Sequence, residues 1–311
     1  MSETTYVIGY FESNLGDDLM IEVVSKSNTN VIYFLRAADF KAKSSSANLQ
    51  VSKSFYDFIR SKELSFIGGS LFYDYGPTSV LQFFKRFLIV AGAKLLGKKV
   101  SINGANIGPF KYTTSRILMK GILSLCDSIE VRDKDSYSFA RSCNNRSSLK
   151  LDIVDEYYYR ANGKIKQEPE QASLGLSLVG MRSKTNQAII EKAEEIIETR
   201  KIDKIKLFAF CKHEGDQEEV NKLSQEWKKT YANIEIIVVN YNGDVSNVED
   251  EIATCYYFIG GRFHSIIIAN HCCKKTYVVG YSDKFKNYFS SHYHISWVSD
   301  AVFELSARKA L

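Results

Sequence analysis

The chain has 311 residues, more than one hydrophobic core usually holds, so we expect two domains of roughly 150 residues each. Apolar residues make up 45% and charged residues 25%, a composition typical of globular proteins that argues against a fibrous or disordered chain. The net charge is +5 and the basic residues look scattered among acidic ones, whereas nucleic-acid binding would favour a basic stripe.

The first half alternates short apolar runs with amphipathic stretches of helical length. This alternation predicts parallel strands that helices cover on both faces. The predicted strands are 6–11, 30–35, 64–69, 99–104, 128–133 and 149–154. The predicted helices lie near 16–26, 53–61, 78–97, 113–125 and 133–142.

A charged segment with Gly and Pro, residues 160–172, predicts a linker, and the alternation restarts after it. The later predicted strands are 173–179, 204–210, 234–240, 256–261 and 275–281, and the helices are 185–201, 216–231, 246–254 and 263–271. We therefore predict an α/β fold with two Rossmann-like domains facing a cleft, an N-terminal one over 1–162 and a C-terminal one over 163–311. Since ligands collect at the carboxyl ends of such strands, the cleft is the predicted site.

The polar start of the chain runs directly into the first strand, which predicts no signal peptide. The longest apolar stretch, Phe83–Leu96, contains three basic residues, and we interpret it as an amphipathic helix packed on the core. The six cysteines lack a CxxC spacing and indicate reduced core thiols. These features predict a cytoplasmic protein, with a peripheral contact at the inner face of the membrane left open.

Arg262 and His264 are unusual because they interrupt a strongly apolar run directly after Gly260 and Gly261. The glycines predict a tight turn from a strand into a helix, whose first turn favours an anion. Arginine binds carboxylate or phosphate through two hydrogen bonds, and a histidine beside it can move a proton near neutral pH. The alternative is that Arg262 pairs with an acid from the first domain and that His264 is a hydrogen-bonded interdomain histidine.

Other polar residues follow the predicted strands of the first half. Asn14, Asp17, Asn103 and Asn106 suit sugar hydroxyls. The alternatives are a structural or phosphate-binding turn at ESNLGDD and close helix–strand packing at the glycine-rich strand ends. Arg132 ends an apolar strand, and a local pair with Asp133 is its alternative role. No histidine has a metal-ligand spacing with carboxylates, so we predict no metal site.

Seven segments, in this order, resemble the polysaccharide pyruvyl transferase family over nearly the whole chain. They are GYFESNLGDD (9–18), FIGGSLFYD (66–74), NGANIGPF (103–110), SIEVRDKDS (128–136), LDIVD (151–155), GGRFHSIIIA (260–269) and GYSDKFKNYF (280–289). The resemblance implies a GT-B-like glycosyltransferase architecture and transfer of a pyruvyl group from phosphoenolpyruvate, a co-substrate, to a sugar or lipid-linked oligosaccharide, commonly as a ketal. It implies no further cofactor.

The resemblance also implies roles for individual residues. Arg132, Arg262 and His264 match the family's donor-binding and catalytic positions, with Gly261 and Phe263 beside them. The implied acceptor residues are Asn14, Asp17, Asn103, Asn106 and Lys284. The chain departs from the family pattern at Ser70, at Asn103 and in LDIVD, and these departures bear on the acceptor more than on the reaction.

Two other functions stay open. A nucleotide-sugar glycosyltransferase would share the fold but needs an acid for the ribose hydroxyls, and Asp283 is a poor candidate for it. A glycan-binding protein without activity is disfavoured because Arg132, Arg262 and His264 are all present.

Overall fold

The protein is represented by a computed structural model that describes residues 4–11, 14–26, 31–34, 48–52, 54–69, 71–160, 169–280 and 283–309. The described chain divides into two compact units. The first comprises residues 4–11, 20–26, 31–34, 48–52, 54–69 and 71–153, and the second comprises 14–19, 154–160, 169–280 and 283–309. The predicted boundary at 162/163 therefore differs from the observed one by nine residues, and a short N-terminal segment belongs to the second unit.

The first unit is a parallel sheet with helices between its strands. Its strands are β1 (Thr4–Ile8), β2 (Val31–Phe34), β3 (Leu49–Val51), β4 (Glu63–Ile67), β5 (Lys99–Ala105), β6 (Ser128–Val131) and β7 (Ser147–Leu149). Its helices are α1 (Leu15–Lys26), which begins in the second unit, α2 (Phe55–Arg60), α3 (Pro77–Leu95), α4 (Thr113–Leu125) and α5 (Lys134–Cys143). The sheet order β3-β2-β1-β4-β5-β6-β7 is doubly wound, because the chain moves outward from β1 in both directions.

The second unit repeats this plan and adds an antiparallel edge. Its helices are α6 (Ile153–Arg160), α7 (Ser183–Thr199), α8 (Asp216–Thr230), α9 (Val245–Ala253), α10 (Phe263–Cys272) and α11 (Asp283–His292). Its strands are β8 (Glu170–Ser177), β9 (Lys204–Ala209), β10 (Glu235–Asn240), β11 (Cys255–Gly260), β12 (Lys275–Val279), β13 (Tyr293–Trp297) and β14 (Val302–Arg308). The order is β10-β9-β8-β11-β12-β14-β13, with β14 antiparallel to both neighbours.

The two Rossmann-like α/β units confirm the predicted fold class. The strand predicted over 149–154 is wrong except at Leu149, because β7 ends there and α6 begins at Ile153. Asp155 and Glu156 lie in the first turn of α6, where the positive end of the helix dipole favours acids. The predicted linker 160–172 falls partly outside the described residues, and its end already belongs to β8.

Within the described residues, no helix is long and apolar enough to cross a membrane. Helix α3, which contains most of the 83–96 stretch, buries Phe83, Val90 and Ala93 against the sheet as an amphipathic helix should. Its opposite face is also largely apolar, which departs from the expected polar surface.

Candidate functional site

Arg132 lies at the carboxyl end of β6, directly before α5, and its side chain is buried. Its Nη1 donates to Asp152 Oδ2 at 2.6 Å, and its Nε donates to Asn106 Oδ1 at 2.6 Å. Asp152 is fully buried. A buried charge is tolerated only when it is paired and hydrogen-bonded, so the neighbouring loops fix this guanidinium in one orientation.

Asp133 is the alternative partner predicted for Arg132, but its role in the structure is a different one. It caps α5 by accepting from the Ser136 backbone N–H at 2.8 Å, and it also accepts from the Asn106 side-chain amide at 2.5 Å. Asn106 therefore bridges the arginine and the helix cap. Gly69 completes the site, because a Cβ at this position would overlap Nη2 of Arg132.

Arg262 lies between β11 and α10 in the second unit, and three of its nitrogens contact carboxylates. Its Nε donates to Asp216 Oδ2 at 3.1 Å, its Nη2 donates to Asp216 Oδ1, and its Nη1 donates to Glu214 Oε2 at 2.5 Å. Burial disfavours the charged guanidinium, but Asp216 and then Glu214 outweigh it, so the pKa of Arg262 is raised. The partners come from the same unit, so the alternative of a partner from the first domain is wrong.

Asp216 anchors this corner of the second sheet. It is fully buried at the start of α8 and accepts backbone N–H groups from Gly180 at 2.8 Å, Phe210 at 3.2 Å and Cys211 at 3.0 Å. These groups follow β8 and β9, so one carboxylate ties two strand ends to the arginine that follows β11. Glu214 differs, because 40% of its side chain is exposed.

His264 lies in the first turn of α10, and its ring packs against the N-terminal segment of the second unit. A Cβ at Gly16 would overlap Nδ1 of His264, so a side chain is excluded there. The segment is held in place by a bridge between Asn14 and Cys211 and by the Tyr241 hydroxyl, which donates to Asp18 at 2.8 Å. Residues from both ends of the sequence therefore surround the histidine.

Phe263 sits in an aromatic cluster that holds the start of α10. Its ring centroid lies 4.9 Å from that of Tyr288, 5.5 Å from that of Phe289 and 5.6 Å from that of Phe285. The Tyr288 hydroxyl donates to Asp155 Oδ2 at 2.5 Å. The cluster thus links α10 to α11 and α6.

Asp155 is a fully buried carboxylate that organises the same region. It accepts the Tyr293 hydroxyl at 2.6 Å, and a 2.8 Å hydrogen bond joins it to Nε2 of His271. Burial, and after it the charge of Asp155, raise the pKa of Tyr293 above its usual value, so the phenol stays protonated and donates.

The predicted acceptor residues fall into two groups. Asn14 and Asp17 belong to the second unit, with His264, although we expected them on the first domain. Asn103 and Asn106 stay in the first unit, where Asn103 donates to Ser65 at 2.8 Å and to Ser101 at 3.2 Å within the sheet. Lys284 lies in α11, but its side chain is outside the described part of the structure, as is Ser70.

The sequence reasoning missed the acids that hold the arginines. Asp152 lies in the segment LDIVD, and Glu214 and Asp216 lie shortly after β9. The sequence contained one signal for these acids, which is that they lie near strand ends in a protein with buried arginines. In the described part of the chain, no three His, Cys, Asp or Glu side chains lie close enough to share a metal ion. The expectation of a metal-free site stays a prediction.

Comparisons with known proteins agree with this fold. A structure of Methanocaldococcus jannaschii UDP-GlcNAc 2-epimerase, in complex with UDP-GlcNAc and UDP, is similar with a TM-score of 0.50 at 10% identity, covering 86% of this chain and 80% of that one. A UDP-glucosyltransferase from Polygonum tinctorium matches with a TM-score of 0.47 at 9% identity, covering 93% of this chain and 83% of that one. At 10% identity, the match to the epimerase supports the fold and nothing more.

Sequence comparison is more specific. No curated protein matches the chain significantly. The model of the family described as polysaccharide pyruvyl transferase matches residues 14–283, which include the segments that hold Arg132, Arg262 and His264. The chain therefore belongs to the polysaccharide pyruvyl transferase family.

Proposed function

We propose that this family member moves the pyruvyl group of phosphoenolpyruvate onto a sugar of a cell-surface or capsular glycan precursor, forming a ketal and releasing phosphate. The observation that carries the proposal is the family match over residues 14–283. We place the reaction in the cytoplasm, at the inner face of the membrane where a lipid-linked acceptor would be found. Phosphoenolpyruvate is the co-substrate, and no metal or further cofactor takes part.

Charge supports this donor. Phosphoenolpyruvate carries a carboxylate and a phosphate, and a guanidinium can bind either group through two hydrogen bonds. In the proposal Arg132 and Arg262 bind the two anionic groups, and Gly261 and Phe263 keep Arg262 and His264 at the start of α10. The anion also benefits from the unpaired backbone N–H groups and the dipole of that helix end.

The proposed reaction begins with a proton. Protonation of the methylene carbon of phosphoenolpyruvate makes C2 cationic, and a sugar hydroxyl then bonds to C2 and loses its proton. The C2–O bond to phosphate breaks and phosphate leaves with the bonding electrons. A second hydroxyl of the acceptor then bonds to C2, loses its proton and closes the ketal. His264 supplies or accepts these protons, and the arginines stabilise the charge on the departing phosphate.

Glu214 is the partner of Arg262 that an arriving donor can replace. Nη1 of Arg262 is held by this half-exposed carboxylate, whereas Asp216 is fully buried and fixed by backbone N–H groups. An arriving phosphate or carboxylate can replace Glu214 without disturbing Asp216. Donor binding is therefore proposed to release Glu214 toward solvent.

The acceptor is proposed to lie beside the donor. Asn14 and Asp17 share a unit with His264, so they are the stronger acceptor candidates, together with Lys284. Asn103 and Asn106 already bond to neighbours inside the first unit, and they are the weaker candidates.

The rival function is a nucleotide-sugar glycosyltransferase. It is favoured by the fold similarity to an epimerase solved with UDP-GlcNAc, and it would use Asp283 for the ribose hydroxyls. A glycan-binding protein without activity is the third candidate.

A phosphate-release assay separates these functions. The enzyme is incubated with phosphoenolpyruvate and a panel of free and lipid-linked glycans, and thermal shifts are recorded in parallel with phosphoenolpyruvate and with UDP-sugars. We expect phosphoenolpyruvate to raise the melting temperature and phosphate release to require a glycan. A shift with UDP-sugars alone would overturn the proposal in favour of the rival. Glycan binding without phosphate release would support the third function.

A further inference from the structure

The outward face of α3 is apolar although it is not needed for the core. Its inward face is buried, yet a contiguous outer arc is exposed, including Leu88 at 52% and Leu95 at 89%. The exposed apolar side chains of this arc are Leu81, Phe84, Leu88, Ile89, Leu95 and Leu96. Their spacing follows the helical repeat, so they form one stripe along the helix. An exposed apolar stripe of this kind marks an interaction surface.

Helix α4 extends this surface. It packs closely beside α3, because a Cβ at Gly121 of α4 would lie 2.9 Å from the ring of Phe87 in α3. Its exposed face carries Ile117, which is 64% exposed, with Arg116 and Lys120 at the neighbouring positions. We call the outer faces of α3 and α4 the α3/α4 surface.

Basic residues predominate in this region. Residues 75–126 contain eight Lys or Arg and no Asp or Glu, so the basic residues are less evenly scattered than the composition suggested. Asp127, the next residue, pairs with Lys94 at 2.8 Å. The exposed basic residues that mark the surface are Lys85, Arg116 and Lys120. Lys85 lies within the apolar arc of α3, and Arg116 and Lys120 are exposed on α4. Basic residues bordering an apolar stripe match a surface with acyl chains inside and anionic headgroups outside.

We propose that the α3/α4 surface docks on an anionic lipid bilayer, with the α3 stripe at the acyl boundary and the basic residues at the headgroups. The inference rests on the proposed function, because a lipid-linked acceptor would be presented at that surface. A second copy of the chain fits less well. A twofold contact would bring the same positive patch against itself, and like charges in contact are unfavourable.

Vesicle co-sedimentation tests the docking. The full chain is mixed with vesicles of phosphatidylcholine alone or with 30 mol% phosphatidylglycerol added, at low and high salt. We expect binding to the anionic vesicles, weakened by salt. The triple variant Lys85→Gln, Arg116→Gln, Lys120→Gln should lower the partition coefficient by about 100-fold. The double variant Leu88→Gln, Leu95→Gln should lower it by about 10-fold or more.

The matched control is Met181→Gln, which replaces another highly exposed apolar side chain, 84% exposed, in the second unit. It should leave binding unchanged. Equal binding to both vesicle types, or an equal loss in Met181→Gln, would overturn the proposal. A dimer in solution that the Leu88/Leu95 variant dissociates, without vesicle binding, would assign the surface to a second copy instead.

Phosphate release with a water-soluble glycan, measured on the same samples, separates the two proposals. Turnover without vesicle binding overturns the docking alone, and vesicle binding without turnover on any glycan overturns the proposed function alone.

Discussion

The two arginines predicted to bind the donor, one in each unit, are buried in different ways. Arg132 is matched by one buried carboxylate, Asp152, and by the neutral amide of Asn106. Arg262 contacts two carboxylates, the buried Asp216 and the partly exposed Glu214. The Arg132 cluster also contains a second buried acid, Asp133, which accepts from Asn106. Each arginine therefore lies near two acids, and the difference is that Glu214, beside Arg262, is partly exposed.

This difference predicts different roles for the two arginines. Arg132 is fixed in place by its partners, whereas one partner of Arg262 can be exchanged for a ligand. Asp152 and Asn106 are both buried, so neither can turn toward solvent, and Arg132 can serve a ligand only from its present orientation. Glu214 at Arg262 must move away or be replaced before another anion binds, because like charges in one small site repel. Burial of an arginine is thus a poor guide to its function, and the exposure of its partner is more informative.

The largest expected effect belongs to the histidine beside Arg262. We expect His264→Ala to lower the rate of phosphate release by about 10²- to 10⁴-fold, the usual contribution of a general acid or base, while the fold is kept. The measurement is kcat with phosphoenolpyruvate and the best glycan. His213→Ala is the control, because this histidine is exposed on a single 3₁₀ turn, Lys212–Glu214, and the rate of this variant should not change. A near-wild-type rate in His264→Ala would remove this residue from the mechanism.

The contrast between the two acids of Arg262 predicts the next largest effect. We expect Asp216→Ala to lower the free energy of unfolding by about 3–5 kcal/mol, because it leaves Arg262 without its fully buried partner. Glu214→Ala should cost about 1 kcal/mol or less, because this carboxylate is partly exposed and water screens its charge. Both tryptophans, Trp227 and Trp297, belong to the second unit, so urea unfolding followed by tryptophan fluorescence reports on it.

The same pair of variants tests the exchange at Arg262. If Glu214 competes with the donor, Glu214→Ala should lower the KM for phosphoenolpyruvate or leave it unchanged. A KM that rises as much in Glu214→Ala as in Asp216→Ala would show that the two acids act alike and would end the distinction between them.

The sequence predicted most of the parallel strands because each is an apolar run between amphipathic helices. It failed where that signal is weak or ambiguous. The strand β3 has three residues, and β13 and β14 form an antiparallel edge after the alternation has ended. The start of α6 is predicted wrongly as a strand because a short apolar segment such as LDIVD is compatible with the end of a strand and with the start of a helix.

Arg262 and His264 were found because charged residues stand out within an apolar run. Their partners could not be found in the same way. Asp216 lies 46 positions before Arg262, and the two meet because β9, β8 and β11 are adjacent in the sheet. The spacing of residues along the sequence contains no information on the order of the strands in the sheet. The packing of Gly16 against His264 was missed for the same reason, since it joins residues 248 positions apart.

Two glycines provide a finer test of how each site is held. A methyl group at Gly69 would overlap Arg132, and one at Gly16 would overlap His264. We expect Gly69→Ala to raise the KM for phosphoenolpyruvate, and Gly16→Ala to lower kcat, each by about 10- to 100-fold, because a displacement of about 1 Å is enough for such losses. Steady-state kinetics separates the two effects.

Gly92→Ala is the control for both glycine variants. Gly92 lies inside α3 with open space around the position of a Cβ, so alanine should stabilise the helix by about 1 kcal/mol. A loss of activity in Gly92→Ala comparable to the losses in the other two variants would show that added bulk acts through general destabilisation and not at the site.

The smallest effect concerns Cys211, whose buried thiol lies beside the acids of Arg262. Burial, and then the charge of Glu214, raise the pKa of Cys211 from 9.0 to about 11. Between these values the unfolded chain has lost the thiol proton and the folded chain has kept it, so stability falls as the pH rises. At pH 10 this contribution is about 1 kcal/mol. Between pH 7 and pH 10, the free energy of unfolding measured in urea should therefore fall less in Cys211→Ala than in the wild type. An equal fall in both proteins would mean that Cys211 ionises as freely in the folded protein as in the unfolded chain.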